Sequence, residues 1–358
     1  KPQASQADIE RAVAMLAAAE RPIIVSGSGI IWSGASAELE KFVDTTGIPF
    51  WTTPQGRGVV PEDHPLSFLN ARSTAWRDAD CALIIGTRNN YVIGFAKDRF
   101  NPDMKVVQVN IDPGEIGHNR PVDIGIIGDA KVVLQQMIEA AQGKFQPGES
   151  AWVRRLREIN SQKQEEAEAK MSTDQVPIHP LRLCKEVRDF LDRDAVLVVD
   201  GQETLNYARQ SIPTFKPGHR MNSGPFGTMG VNVPLGVGAK VAAPDKQVLV
   251  LTGDGSFGMN AMEMDTAIRH KLNIVTVISL NGGWTADPTG TKPGRNLGYT
   301  RYDKMVEALG GHGEYVERPE DIRPALERAF AAGKPALVNV RTDEKARATT
   351  ARFSQYTT

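Results

Sequence analysis

The 358-residue sequence holds only two cysteines, Cys81 and Cys184. They lie far apart without metal-type spacing, which excludes a disulfide framework or a cysteine-ligated zinc site and leaves core packing as their reading. Charge of one sign is also lacking: 42 Lys plus Arg stand against 43 Asp plus Glu, for a formal net charge of −1. With neither a basic stripe nor an acidic tail, nucleic acid is not an expected partner. No apolar run reaches the length of a membrane span, so no membrane association is expected. The opening Lys1-Pro2-Gln3-Ala4-Ser5 is neither a signal nor a transit peptide, and a cytoplasmic location is the expectation. An initiator methionine is missing too, and the natural protein is expected to extend upstream. What is present is a 41% hydrophobic content, ample for buried cores. At about 150 residues per domain, the length suggests two domains.

Short apolar strands alternate with helical periodicity along the chain. A helix over 8–19 leads to a strand at 22–25 that ends in Ser26-Gly27-Ser28-Gly29. A helix at 35–46, strands at 48–51, 82–86, 105–111 and 125–129, and a helix at 130–141 follow. Such alternation predicts a parallel, doubly wound α/β sheet. Residues 142–178 differ: Gly143, Pro147 and Gly148 break the chain, and a Glu/Lys/Arg-rich helix over 151–171 reads as a solvated connector. A second α/β segment begins near Leu181. It has a helix at 181–191, a strand at 195–199, a Gly-rich stretch at 223–238, a strand at 248–251, a helix at 259–269 and a strand at 274–280. Helices near 302–308 and 319–332 flank a last strand at 336–340. The expected organisation is two doubly wound parallel-sheet domains at 1–145 and 179–345, a linker helix at 146–178, and a polar tail at 346–358.

The chemistry concentrates between Thr252 and Trp284. One strand delivers Gly253-Asp254-Gly255 to its carboxyl end, a helix crosses over, and the next strand delivers Asn281, 27 positions after Asp254. Both side chains then emerge on the same edge of a parallel sheet, where open α/β folds bind ligands. A carboxylate, an amide oxygen and the backbone carbonyl of Gly283 suit a hard cation such as Mg²⁺, which takes its remaining ligands from phosphate and water. Gly253 and Gly255 let a phosphate approach closely, and Gly255 and Ser256 are expected just before a helix N-terminus that favours an anion. Taken alone, Gly-Asp-Gly also reads as an ordinary turn; the spacing to Asn281 argues against that.

Gly-Asp-Gly followed about 27 residues later by Asn resembles the thiamine-diphosphate fingerprint of the pyruvate-oxidase and acetolactate-synthase group. That family often has Asn-Asn; here Leu280 stands first and Asn281 matches the ligand position. The resemblance implies thiamine diphosphate as cofactor and Mg²⁺ held by Asp254, Asn281 and the Gly283 carbonyl. Phe226-Gly227-Thr228-Met229-Gly230 resembles the segment that grips the aminopyrimidine ring. It implies a carbonyl from Gly227 to the ring's amino group and Met229 as the wedge that bends the cofactor. Asp200-Gly201-Gln202-Glu203-Thr204 matches where the family places diphosphate contacts, making Gly201, Gln202 and Glu203 candidates.

The stretches 56–65, 107–112 and 226–231 are similar to 2-hydroxyacyl-CoA lyases and the related oxalyl-CoA decarboxylases. The implied activity is carbon–carbon cleavage of a 2-hydroxyacyl-CoA to formyl-CoA and a ketone or aldehyde, in a homodimer or homotetramer. The first domain would bind a nucleotide, often ADP, and help hold the CoA, with Asp112 at ribose hydroxyls and Arg88 at a phosphate. Ser26-Gly27-Ser28-Gly29 lacks the full Gly-x-Gly-x-x-Gly pattern. Trp284, the loop to Tyr299 and Phe226 are expected to face substrate, with the tail carrying Arg352, Phe353 and Tyr356 as a lid. Family members begin with a pyrimidine-binding domain whose glutamate activates the cofactor. No glutamate of this sequence matches it, so an upstream segment or another chain is expected to supply that domain, and this chain to hold half a site. Oxalyl-CoA decarboxylation or an acetolactate-synthase-like carboligation is the alternative within the cofactor class. A non-catalytic nucleotide-binding regulatory module is the alternative outside it.

Overall fold

The computed structural model describes residues 1–97, 99–146, 148–284, 291 and 293–348. They form two compact units. The first comprises Lys1–Glu165 with Thr214–Gly218, the second Glu166–Pro213 with the described residues from His219 onward. Both are α/β units on parallel sheets, as the alternation predicts.

In the first unit, β1 (Pro22–Ser26), β2 (Phe50–Thr52), β3 (Cys81–Ile85), β4 (Lys105–Asn110) and β5 (Ile124–Ile127) pair in the order β2-β1-β3-β4-β5. Successive side chains enter opposite cores: Ile24, Leu83 and Val107 one, and Ile23, Val25, Ile84 and Val106 the other. Burial on both faces explains why these strands read as unbroken apolar runs. The glycines after β1 serve the fold. A Cβ at Gly27 would lie 2.6 Å from Thr87 Cβ, and one at Gly29 would lie 2.7 Å from Gly86 Cα.

In the second unit, β6 (Val196–Val199), β7 (Arg220–Met221), β8 (Val248–Gly253), β9 (Val275–Leu280), β10 (His312–Val316) and β11 (Ala336–Arg341) pair in the order β10-β11-β9-β8-β6-β7. Two of these have no counterpart in the sequence reading. β7 is two residues long, and β10 is an edge strand, His-Gly-Glu-Tyr-Val, buried only at Val316. Neither carries an apolar run for periodicity to detect.

The polar helix Ala151–Met171 is not a free connector. Trp152, Val153 and Leu156 are buried in the first unit, and the Trp152 indole donates to the Pro22 carbonyl at 3.2 Å. In the second unit Met171 is buried and Glu168 pairs with Arg188. Both cysteines are buried and free, and burial pushes their thiols up to about 12. The folded chain at pH 8 is therefore expected to resist a thiol reagent, with both sites reacting once urea unfolds it.

Candidate active site

The second sheet reverses its winding between β6 and β8. The chain leaves β6 outward to β7, then returns through the helix Asn232–Ala242 to β8 on the other side. Such a switch point opens a crevice at the carboxyl ends of the strands. Here the ends are Asp200-Gly201 on β6, Gly253-Asp254 on β8 and Asn281 on β9, three adjacent strands. Gly201 has φ +88, and a Cβ there would sit 3.1 Å from Gly253 N. Only glycine fits that crossing.

Asp254 is 3% exposed. One carboxylate oxygen accepts the Gly255 N–H and the other the Gly282 N–H, both at 2.8 Å. Burial pushes Asp254 up to about 6, while the N–H groups of Gly255, Gly282 and Gly283 pull the other way. A carboxyl raised by burial, with no cationic partner among the described residues, is typical of a site that expects a ligand charge. The second bond ties the β8 end to the loop after β9. Asn281 Oδ1 accepts the Gly283 N–H at 3.3 Å within that loop. Asp254, Ser256, Asn281, Gly283 and Trp284 line one cavity with Met229. Ser256 Oγ is buried and, among the described residues, has no hydrogen-bond partner.

Several expectations change at this point. Gly255 and Ser256 lie inside the short helix Asp254–Met259, capped by Gly253, rather than before a helix at 259. Its six residues end at Met259, and a separate helix spans Glu263–Arg269. Gly255 is demanded by Trp284, because a Cβ would meet the indole ring at 2.8 Å. Gly253 has only Thr204 Oγ1 within reach, at 3.5 Å, and stays open toward the cavity. The backbone at Trp284 is fixed by its amide N–H, which donates to the Arg295 carbonyl at 2.9 Å. Residues 285–290 and 292 of the loop to Tyr299 lie outside the described residues, as do Arg352, Phe353 and Tyr356 of the tail.

Phe226 is not brought to the cavity. It sits in the 3-10 turn Gly224–Phe226, 91% exposed. Gly227 closes that turn at φ +65, its N–H donating to the Gly224 carbonyl at 3.2 Å. Gln202 and Glu203 do line the cavity, on the first turn of the helix Gln202–Ser211. Glu203, however, already holds a partner, accepting the Ala348 N–H at 2.8 Å. A carboxylate facing a diphosphate is electrostatically unfavourable; in the structure Glu203 is bonded to the 342–348 segment. Glu203→Ala is expected to speed amide exchange at Ala348 by more than about tenfold, whereas Glu203→Gln keeps an acceptor and most of the protection, as NMR would resolve. In the first unit Arg88 pairs with Glu115 at 3.2 Å, and Asp112 accepts the Gly114 N–H at 2.9 Å.

Sequence reasoning missed Tyr207, an aromatic on a helix face that reads as core. It is buried, lines the same cavity, and its hydroxyl has no partner among the described residues. Among the described residues no group of His, Cys, Asp and Glu forms a metal cluster, and no helix is long and apolar enough to cross a membrane. A single carboxylate with amide and backbone oxygens is a donor set that would suit a hard cation completing its coordination with phosphate and water.

Both units resemble known proteins. Residues 9–137 match the family "Thiamine pyrophosphate enzyme, central domain", and residues 201–340 match "Thiamine pyrophosphate enzyme, C-terminal TPP binding domain". An acetolactate synthase large subunit of Mycobacterium tuberculosis is 38% identical over 347 residues, 94% of this chain and 62% of that protein. A 2-hydroxyacyl-CoA lyase of Arabidopsis thaliana is 36% identical over 370 residues, 97% of this chain and 64% of its own length. An oxalyl-CoA decarboxylase of Escherichia coli is 32% identical over 347 residues, covering 94% and 61%. The chain thus spans 61–64% of the length of these relatives.

Proposed function

The chain belongs to the thiamine pyrophosphate enzymes, with their central and C-terminal TPP-binding domains, and from that premise we propose that it supplies the Mg²⁺- and diphosphate-binding half of a carbon–carbon lyase. The substrate would be a 2-hydroxyacyl-CoA, cleaved to formyl-CoA and a ketone or aldehyde. The observation that carries the reading is the convergence of Asp254, Asn281 and the unpartnered Ser256 hydroxyl in one cavity at adjacent strand ends.

These residues fit the cofactor's polar end. Asp254 and Asn281 would hold Mg²⁺ with the Gly283 carbonyl, and Ser256 Oγ would donate to a diphosphate oxygen. The bound cofactor supplies the nucleophilic carbon and electron sink that carbon–carbon cleavage needs. Met229, 36% exposed on the cavity wall, would brace the cofactor in a bent shape. Trp284 would keep water from the metal side. The activating acid would come from a pyrimidine-binding domain on an upstream segment or another chain, within a homodimer or homotetramer.

The likeness to an acetolactate synthase large subunit favours a second reading, an acetolactate-synthase-like carboligation. Assays of the protein together with its pyrimidine-binding domain, thiamine diphosphate and Mg²⁺ separate the two. Release of formyl-CoA from a branched 2-hydroxyacyl-CoA supports the lyase. Acetolactate from pyruvate without formyl-CoA would replace it with the carboligase, and CO₂ from oxalyl-CoA alone would replace both with a decarboxylase.

A further inference from the structure

Three loops around the proposed cofactor position share one buried anchor. Asp200 ends β6 and is 4% exposed. One of its oxygens accepts the Gly201 N–H at 2.6 Å. The other accepts the Gly230 N–H at 2.8 Å, the Asn232 N–H at 3.2 Å and the Asn232 Nδ2–H at 3.0 Å. Asn232, fully buried, also donates to Thr252 Oγ1 at 3.2 Å, and that hydroxyl donates to the Gly253 carbonyl at 3.2 Å.

The donors are matched to a carboxylate. An ionised carboxylate only accepts and offers about four lone-pair sites. An amide in its place would turn its own N–H group toward this set of donors and leave buried N–H groups unsatisfied. Gly230 is held from both sides: its N–H by Asp200 and its carbonyl by Asn260 Nδ2 at 2.6 Å. It has φ +90, and a Cβ there would lie 2.9 Å from Met259 Cβ. With Gly230 fixed, the adjoining Met229 cannot shift along the cavity wall.

We propose that Asp200 is the positioning residue of the cofactor cradle, holding Gly201, the 229–232 turn and, through Asn232 and Thr252, Gly253 in one register. The inference rests on the thiamine-diphosphate reading above and adds to it a residue that touches neither metal nor cofactor. Its function would be to preorganise groups that do.

The test is calorimetric titration of thiamine diphosphate, at fixed saturating Mg²⁺, into the full-length protein carrying Asp200→Asn, with Asn232→Ser as the milder change. Circular dichroism establishes that each variant is folded at the working temperature. A loss of stability alone leaves the Kd of a folded protein unchanged, so Kd separates positioning from mere folding support. The expected result is a Kd raised at least tenfold in Asp200→Asn and about threefold in Asn232→Ser. If Asp200→Asn does not fold, the threefold change in Asn232→Ser stands as the supporting result. Wild-type Kd in the folded variants overturns the proposal while sparing the functional reading. A wild-type protein that does not bind thiamine diphosphate at all overturns both.

Discussion

Asp254→Ala is expected to abolish Mg²⁺-dependent binding of thiamine diphosphate, raising its Kd by more than about 100-fold. Changes to groups that merely support metal ligands cost about 10–100-fold, and Asp254 would be a direct ligand, buried on the cavity wall with Asn281. Asp254→Asn keeps the shape but turns an amide N–H toward the Gly255 or Gly282 N–H, now 2.8 Å from the carboxylate oxygens. It should bind nearly as poorly. Calorimetry with and without Mg²⁺ reads both, and a wild-type Kd in either variant would remove Asp254 from the metal site. The same residue carries a pH signature in the metal-free chain. Burial raises its pKa in the folded chain to about 6, above the ordinary aspartate value of 3.8. The folded state therefore binds the extra proton between these values. The contribution of this one group to stability rises as pH falls from 7 toward 4, by an amount on the order of 3 kcal/mol at most. The Asp254→Asn chain should lack that increment, so the gap between its urea stability and wild type's should change sharply across pH 4–7.

Glu62→Ala is expected to destabilise the first unit by about 3–5 kcal/mol, the cost of breaking a buried ion pair by removing one partner. Glu62 and Arg57 have side chains 1% and 5% exposed. Arg57 Nε donates to Glu62 Oε1 at 2.6 Å, and Arg57 Nη2 donates to Oε2. Oε2 also accepts the Thr214 N–H at 2.8 Å, and the Glu62 N–H donates to the Thr214 carbonyl at 3.0 Å. The carboxylate thus holds the 214–218 segment within the first unit. Nearby Gly58, at φ +82, leaves a Cβ only 2.3 Å from the Lys216 carbonyl, so the segment is clamped from two sides. Glu62→Gln keeps an acceptor for Thr214 and should lose less. Urea unfolding followed by circular dichroism would show an early transition in Glu62→Ala. An unchanged curve would mean the pair contributes nothing net.

The α/β class, the two parallel sheets and the Asp254–Asn281 pair were legible because each is a local or near-local property. Strands buried on both faces read as unbroken apolar runs. One crossover between the parallel neighbours β8 and β9 obliges residues at both strand ends to emerge on one edge. The edge strand β10, with one buried position, offered no such signal. The helix at 254–259 escaped because it is six residues long and opens with Asp-Gly, which reads as a turn.

The sequence by itself therefore determined which strand ends meet, and with them the placing of Asp254, Ser256, Asn281 and Gly283 along one cavity, where the proposed metal and diphosphate would bind. Only the tertiary structure decided what neighbouring side chains do there. It left Phe226 in solvent on a turn and drew Trp284 over Gly255. It paired Glu203 with an amide 145 positions away, Glu62 with one 152 positions away, and Asp200 with N–H groups 30 and 32 positions on. Hydrogen bonds between such distant segments leave no periodicity in the chain. They form because buried polar groups must find partners, and those partners are chosen by whichever backbone the packing brings within hydrogen-bonding distance.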